Sequence, residues 1–342
     1  DTSKFKRVHK GDQTFVRDRN LIRAGDPKAE ERSSHGTAVA SVLVGGQPRF
    51  HNRVGLAPAG EVVGYSHSAG DHSGLGQFGT QIEYLKDAMD TDVDMTIHEW
   101  TDFFATPQDG STNLEQTMDE ARKNGVIQVN PLGNLNLSEK HIERELTPGQ
   151  SETLEIAVDE GFVSRGRTYP YYRMWGALLW DTNQQPDIEM TTPSGKSVML
   201  HAGQQTTVDN MTFAVQASTS PRGTRHLVFA IYVTSRQNKV EPGTWKIEVS
   251  NVTAKDTMLG RVMDRYSSWG VGIRWNNPTK DRGTMVFPST ADSALGVAAY
   301  GGRFDRGDDG SGSRVGELRN YSGRGPRIDG ARGVDIAAPD DP

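Results

Sequence analysis

The stretch SSHGTAVASVL, residues 33–43, predicts a helix and places a histidine, His35, in its first turn. A serine before the helix suits the N-cap, because its hydroxyl accepts from the unpaired N–H groups of the first turn. Gly45 and Gly46 end the pattern. His35 is either a surface histidine beside a helix cap or a base held by its scaffold, and the rest of the chain decides between them. The predicted apolar stripe consists of Val39, Val42 and Leu43.

Size and composition exclude several classes of protein. A chain of 342 residues exceeds the usual size of one core, which favours two domains or one domain with a large insertion. The net charge of −6, without a basic block, argues against a nucleic-acid partner. No apolar run is long enough for a membrane span, and without cysteine there is no disulfide or thiolate metal site. The opening DTSKF resembles the middle of a longer protein.

Residues 54–136 alternate short apolar runs with helical patterns. Strand, helix and strand in succession imply right-handed crossovers and a parallel sheet. The same alternation of strand and helix patterns returns after residue 283, in TMVFPSTADSALGVAAYG (284–301) and VDIAAP (334–339). The predicted strands are 62–64, 93–97 and 126–129, and the predicted helices are 82–89 and 114–121, the latter ended by Asn124 and Gly125.

The sequence pattern between about residues 143 and 275 differs from that of the flanking segments. Apolar and polar residues alternate in run after run, turn signals such as Pro148-Gly149 separate the runs, and no helical pattern interrupts them. This rhythm predicts an all-β, jelly-roll-like sandwich inserted into the α/β domain. We therefore divide the chain into 1–142, 143–275 and 276–342, with the ends of the insertion close together. The predicted sandwich core includes Leu154, Ile156, Trp245, Ile247 and Val249.

One segment of the predicted sandwich is rich in aromatic residues. RTYPYYRMWGALLW, residues 167–180, contains three tyrosines and two tryptophans. Aromatic side chains fill sandwich cores and are also enriched at contact surfaces. We expect most of these to lie in the core and one or two to remain for contact.

The polar segment 303–314, RFDRGDDGSGSR, contains Asp305, Asp308 and Asp309. These carboxylates are candidate calcium ligands, although their spacing does not match an EF-hand. A solvated loop is the alternative. No organic cofactor is implied by any motif.

Five blocks now bear on His35. After His35-Gly36-Thr37 come VGLAPAGEVVGY (54–65), VIQVNPLGN (126–134), FPSTADSALGVAAYG (287–301) and NYSGRGPRIDGARGVDIAAPD (320–340). In this order, the blocks resemble the subtilisin-like serine proteases, the subtilases, over about 1–140 and 283–342. The resemblance implies a parallel sheet with helices on both faces, an Asp-His-Ser triad, and peptide or protein substrates.

The resemblance assigns three residues of this chain to catalytic roles. Asp1, in Asp1-Thr2-Ser3, matches the triad aspartate that orients the imidazole, and His35 matches the general base. Asn134, after Gly133, matches the asparagine that donates to the oxyanion. The three residues would converge on one cleft. Their alternative readings are a terminal carboxylate, a surface histidine and a turn asparagine.

The sequence departs from the family's pattern in several places. Asp-Thr-Ser replaces Asp-Thr-Gly, and NPLGN replaces an alanine-rich approach to Gly-Asn. DMTIHEWTDF (94–103) stands where the substrate-facing strand carries Ser-x-Gly, so we transfer no specificity. We expect His98 to be a loop or rim residue and not a second base. The nucleophile block, Gly-Thr-Ser, follows an Ala-Pro-Asp stretch in the family, whereas this sequence stops at APDDP. The nucleophile serine is therefore expected beyond residue 342.

The sequence thus predicts a serine endopeptidase whose triad is incomplete in residues 1–342, so that this fragment is inactive. An exported bacterial protein, extracellular or periplasmic, is the favoured setting. Two alternatives stay open: a pseudoprotease that binds or regulates without chemistry, and an adhesion or scaffold protein that works through the sandwich.

Overall fold

The computed structural model describes residues 5–10, 13–16, 35–46, 49–51, 54–66, 79–91, 93–235, 237–264, 272–302 and 314–340. The chain divides into two compact units, residues 1–87 and residues 88–342. The serines predicted to cap the first helix, and the polar segment up to residue 313, lie outside the described residues.

The first unit contains a small mixed sheet and a helix. Strand β1 (Phe5–Lys10) pairs antiparallel with β2 (Gln13–Val16) and parallel with β3 (Val62–Ser66). Helix α1 (His35–Val44) confirms the helix predicted from residues 33–43. Its apolar stripe was predicted wrongly, because Val42 is 43% exposed and Val44 is the buried residue.

A loop fixes the carboxyl end of α1. The amides of Gly55, Leu56 and Ala57 donate to the carbonyls of Gly45, Val42 and Leu43 at 2.7–2.9 Å. A side chain at Gly55 would place Cβ 2.5 Å from the Leu43 carbonyl oxygen, so only glycine permits this approach. The VGLAP block therefore satisfies carbonyls that the end of a helix leaves unpaired.

Helix α2 (Gly79–Asp90) and helix α3 (Asn113–Lys123) match the two helices predicted from the sequence. Thr112 and Glu115 form a capping box on α3, since each side chain accepts from the backbone amide of the other residue. The apolar face of α3 is fully buried, and α3 packs on a strand of the sheet described next. Its buried residues include Leu114, Met118 and Ala121.

The second unit contains a four-stranded parallel sheet. Its strands are β4 (Met95–Ile97), β5 (Ile127–Pro131), β19 (Leu295–Tyr300) and β20 (Ile336–Pro339). Their order across the sheet is β20-β19-β5-β4, and each neighbouring pair is parallel. The parallel sheet that was predicted from the alternation of strand and helix patterns is therefore confirmed for these strands.

Residues 141–275 of this unit form antiparallel sheets. The strands are β6 (His141–Leu146), β7 (Glu152–Val158), β8 (Phe162–Ser164), β9 (Arg167–Tyr169), β10 (Arg173–Trp180), β11 (Asp187–Thr191), β12 (Ser197–Met199), β13 (Gln205–Val208), β14 (Met211–Thr219), β15 (Arg225–Val233), β16 (Gly243–Ser250), β17 (Asp256–Asp264) and β18 (Arg274–Trp275). One sheet has six strands in the order β13-β14-β15-β10-β17-β6, and a second has five in the order β12-β11-β16-β7-β18. Strands β8 and β9 form a hairpin.

The two larger sheets contribute to one apolar cluster. It combines alternate residues of β7 and β16 with residues of β10, β14, β15 and β17. The five residues predicted as core, Leu154, Ile156, Trp245, Ile247 and Val249, are all fully buried in it. Of the aromatic segment, Tyr171 and Trp180 are buried, Trp175 stacks on Phe104, and Tyr169 is exposed.

The chain enters and leaves these sheets at neighbouring points. The Trp275 amide donates to the Glu139 carbonyl at 2.8 Å, and the Trp275 indole donates to the Lys140 carbonyl at 3.2 Å. Strand β6 begins at His141, so the boundary predicted at 143 lies inside this strand.

The outer face of the six-stranded sheet packs against loops of the parallel-sheet part. Ala177, Leu179 and Val228 of this face are buried against Phe104 and Ile328. The His226 ring lies 2.8 Å from the Phe104 carbonyl oxygen, through Nε2. Both parts accordingly belong to the same compact unit.

Candidate active site

Of the three residues assigned by resemblance, Asn134 can be examined in full. Asp1 lies outside the described residues. His35 is the first residue of α1, but its ring lies outside the described part of the chain. Asn134 follows β5 and has an exposed side chain. The convergence of the three side chains therefore stays a prediction.

Gly133 determines the position of Asn134. Its φ of +88° is left-handed, and a Cβ there would lie 2.8 Å from both methyl carbons of Val286. The Gly133 carbonyl accepts from the Gly323 amide at 2.8 Å, and Gly323 itself has no room for Cβ beside Leu132. A glycine is required at both positions, and together they hold the backbone that presents Asn134.

A second set of hydrogen bonds holds the loop beyond Asn134. Asn136 donates from its backbone amide to Tyr321 O at 3.0 Å and from Nδ2 to Asn320 O at 2.7 Å. Its Oδ1 accepts from the Thr284 hydroxyl at 3.2 Å. Residues 132–136 are thus tied to two later segments of the chain. The exposed Asn134 amide carries two N–H donors at the carboxyl edge of the parallel sheet, where they can donate to a negatively charged oxygen.

The FPSTADS segment, residues 287–293, ties the sheet to α3. Asn130 Nδ2 donates to Pro288 O at 2.8 Å. The Thr290 hydroxyl donates to the Glu115 carboxylate, and Ser293 donates to Asp119 Oδ1 from both its amide and its hydroxyl. Burial raises the pKa of Glu115, while the hydrogen bonds from Thr290 and Thr112 oppose this rise.

The segment after β4 forms the other side of this edge. The Trp100 ring lies 5.6 Å from the Phe287 ring, and Asp102 pairs with Phe287 in an antiparallel bridge. Val286, the residue before Phe287, lies against Gly133. The segment after β4 and the residues beside Asn134 therefore pack against neighbouring residues of the 286–287 dipeptide.

His98 lies in the loop after β4, which is one of the two predicted positions, but it is buried and not at the rim. Its Nε2 lies 3.2 Å from Gln128 Oε1 and from Thr96 Oγ1, and its amide donates to Val129 O. Gln128 Nε2 donates to Val126 O, which leaves Oε1 as the acceptor for His98. Burial lowers the pKa of His98 to about 4, while the hydrogen bond to Gln128 opposes this effect. His98 is a neutral structural residue near pH 7.

The buried histidines predict an acid-sensitive fold. Burial also lowers the pKa of His226 to about 4, and that of His141 well below its usual value. Unfolding returns each pKa to about 6.5, so the unfolded chain binds more protons below that pH. The neutral buried histidines therefore make their full contribution to stability above about pH 6.5. Toward pH 4 the free energy of unfolding falls by up to about 1.4 kcal/mol per pH unit for each histidine.

This dependence can be measured by urea unfolding between these pH values. We expect His98→Gln/His226→Gln to reduce the slope of the unfolding free energy against pH. The reduction should correspond to about two fewer protons taken up on unfolding in this window. The control is His201→Gln, at an exposed histidine. If the double variant gives a curve parallel to that of the unaltered chain, these histidines are not the cause.

A buried arginine that sequence reasoning missed supports the segment after β4. Arg261 of β17 is 2% exposed, lies 4.5 Å over the Phe103 ring, and donates to the Met285 and Gly283 carbonyls. Burial lowers the pKa of Arg261 to about 10, against the attraction of Asp102, so it stays charged near pH 7. Burial raises the pKa of Asp102, and amide hydrogen bonds and Arg261 oppose the rise. The DTMLGRVMD pattern gives no signal that its arginine is buried.

The described residues contain no group of three or more histidine or carboxylate side chains placed to hold a metal ion. Asp305, Asp308 and Asp309 lie outside that part of the chain, so calcium binding there stays a prediction. Of the helices that the structure describes, none has the length and apolar character that a membrane crossing needs.

A comparison with known protein families identifies the family of this chain. The sequence model of the subtilase family, peptidase S8, matches residues 7–341. The chain therefore belongs to the subtilase family of serine proteases. A comparison with curated protein sequences gave no significant match.

Two solved structures are similar to different extents. The CspB protease of Clostridium perfringens superposes with a TM-score of 0.72 at 15% identity, over 98% of this chain and 69% of its own. The lipase BlEst2 of Bacillus licheniformis in propeptide form is 19% identical over 36% of this chain and 22% of its own, with a TM-score of 0.25. The first similarity shows a shared fold over nearly the whole chain.

Proposed function

We propose that this chain is the larger part of the catalytic domain of a serine endopeptidase. Asp1 orients His35, and His35 takes the proton from a serine that follows residue 342. The serine oxygen attacks the peptide carbonyl, and His35 returns the proton to the leaving amine. Water then releases the acyl group by the same route. Peptides and proteins are the proposed substrates.

The observation that carries this proposal is the support of Asn134. Its amide is exposed after a parallel strand, and the backbone beside it is held by Gly133, Val286 and Gly323. An oxyanion donor has to be in place before charge develops, because reorganisation during the reaction lowers its contribution.

The test uses the longer protein that carries residues 1–342 together with the segment that follows them. A fluorescent serine-directed phosphonate is added, and the labelled peptide is identified by mass spectrometry. We expect one labelled serine, beyond residue 342, and hydrolysis of a fluorogenic peptide. A protein that folds but is neither labelled nor active contradicts the proposal and leaves the pseudoprotease interpretation.

In the same protein, Asn134→Ala should lower kcat by about 10²–10³-fold with little change in KM, because the donor acts mainly on the transition state. The magnitude is the one known for subtilisin, not one derived from this geometry. Steady-state hydrolysis of the fluorogenic peptide measures both constants.

The matched control is Asn136→Ala, which removes the side-chain bonds to Asn320 and Thr284 beneath the loop. Since Asn136 is buried, we expect this variant to lose stability as well as activity. An Asn134→Ala variant with unchanged kcat would show that another group supplies the donor.

We also propose that residues 143–275 are an insertion into the protease fold. The hydrogen bonds between Trp275 and residues 139–140 support this reading, because an insertion has to leave and rejoin its host at neighbouring points. We also propose that the protein is exported from a bacterial cell and that the 303–314 segment binds calcium.

A further inference from the structure

Strand β17 of the antiparallel sheets presents a buried cation to the parallel-sheet part of the same unit. Side chains alternate between the two faces of a strand. Val262 faces the apolar cluster between the two larger sheets, whereas Leu259, Arg261 and Met263 lie on the outer face of the six-stranded sheet. Arg261 is the middle one of these three, and it is buried.

Arg261 holds two separate segments of the chain at once. Its guanidinium lies 4.5 Å over the Phe103 ring, in the segment after β4. Its Nη1 donates to the Met285 carbonyl at 3.2 Å, and its Nη2 donates to the Gly283 carbonyl at 2.9 Å. One side chain therefore fixes the distance between the segment after β4 and the segment 283–286.

The residues on both sides of Asn134 pack on these two segments. Gly133 lies against Val286, where a Cβ would come within 2.8 Å of both methyl carbons. Leu135 belongs to a buried cluster with Phe103 and Val286. The backbone position of Asn134 is therefore set by contacts of its two neighbours with the segments that the guanidinium holds.

An apolar side chain would fill the space of Arg261 at a lower cost in desolvation. In addition, the Arg261 Nε donor is buried and has no hydrogen-bond partner within the described residues. What arginine supplies in return is geometry, because its planar fork directs two hydrogen bonds while its face covers a ring. Fixed geometry is what a catalytic donor needs, since a misplacement of about 1 Å can lower a rate by about 10²-fold.

We propose that Arg261 is a positioning residue for Asn134, the candidate oxyanion donor. Arg261 acts through the two segments that pack beside Asn134, and it touches no reacting atom. A residue of the antiparallel sheets thus sets the geometry of the peptidase site. The catalytic role of Asn134 rests on the proposed function, whereas the link from Arg261 to the backbone beside Asn134 needs no catalysis.

A double-mutant cycle in the longer protein tests this role. Arg261→Met keeps a long side chain but removes the charge and both hydrogen bonds. We expect it to lower kcat for the fluorogenic peptide by about tenfold to 10²-fold with little change in KM, because the donor acts mainly on the transition state. In an Asn134→Ala background, the same substitution should lower kcat by less than about twofold, since the group that it positions is gone.

The control is Met190→Ala, at a fully buried residue of the five-stranded sheet in the apolar cluster between the sheets. The cavity destabilises the sheets, but we expect kcat to stay unchanged at temperatures where this variant is folded. Arg261→Lys keeps the charge without the planar fork, so its loss of kcat should be intermediate. If Arg261→Met does not fold, Arg261→Lys takes its place under the same criteria.

Hydrogen exchange of the longer protein, followed by mass spectrometry, measures the same link without any reaction. We expect the amides of residues 132–138 to exchange about tenfold faster in Arg261→Met and with little change in Met190→Ala. Unchanged kcat, an equal loss of kcat in the Asn134→Ala background, or unchanged exchange of residues 132–138 overturns the proposal. A longer protein that shows no hydrolysis contradicts the proposed function, and the exchange rates then still decide whether Arg261 fixes this loop.

Discussion

We expect His35→Ala, in the longer protein, to abolish both peptide hydrolysis and labelling by the serine-directed phosphonate. Without the imidazole, no group removes the proton as the serine oxygen attacks, so acylation stops. In subtilisin, the enzyme from which this magnitude is known, loss of the histidine alone lowers kcat by about 2 × 10⁶. Hydrolysis of the fluorogenic peptide and the labelling rate measure the two losses.

We expect the His35→Ala substitution to leave the position of α1 within its own unit unchanged. The far end of the helix is held by backbone hydrogen bonds from residues 55–57, which a change of side chain at His35 leaves intact. The matched control is His201→Ala, at an exposed histidine of the antiparallel sheets. If His35→Ala retains labelling and hydrolysis, the base lies elsewhere, and the assignment of Asp1 loses its support as well.

The second large effect concerns a buried ion pair. We expect Lys140→Met to lower the free energy of unfolding by about 3–5 kcal/mol, because it leaves the buried Asp264 carboxylate without its cation. Both side chains are 0% exposed, with Nζ and Oδ2 3.7 Å apart. Lys140 also donates to the Ile273 carbonyl, and Asp264 accepts from the Ile273 amide at 2.9 Å. Urea unfolding at pH 7 measures the loss.

The matched control for Lys140→Met is Lys239→Met, which breaks the exposed pair with Glu160. Exposed pairs contribute little, so we expect a loss below about 1 kcal/mol. Lys140→Met/Asp264→Asn should recover part of the stability, since asparagine still accepts from the Ile273 amide without a buried charge. A Lys140→Met variant as stable as the control would mean that the carboxylate is neutral or otherwise compensated.

Local signals predicted the elements that depend on neighbours in the sequence. Helix α3 follows from its capping box and its apolar spacing, and the alternating residues of β7 and β16 predicted buried side chains correctly. The position of Asn134 at the end of a buried strand was predictable in the same way. Each of these features depends on a pattern within a few residues of the chain.

The features that were not predicted depend on distant partners. His98 follows a strand, which suggests a rim, but Gln128 on the neighbouring strand draws its ring inside. Lys140 and Arg261 each lie in a segment with other charged residues, and nothing local marks these two as buried. The carbonyl that Lys140 contacts lies 133 residues away. Val42 has helical spacing but faces outward, because spacing predicts a stripe without showing which side of it is covered.

The tethers of the Asn134 loop have a consequence for the order of events during synthesis. Asn136 is held by Asn320, 184 residues later, and by Thr284, 148 residues later. A ribosome releases the chain from its amino terminus, so the candidate oxyanion loop lacks these partners until nearly all of the described residues have been made. Contacts of such long sequence separation form late and slowly. Under the proposed function, a nascent chain that already contains His35 and Asn134 would therefore still lack the fixed position of its oxyanion donor, which would keep it from cleaving neighbouring chains during synthesis.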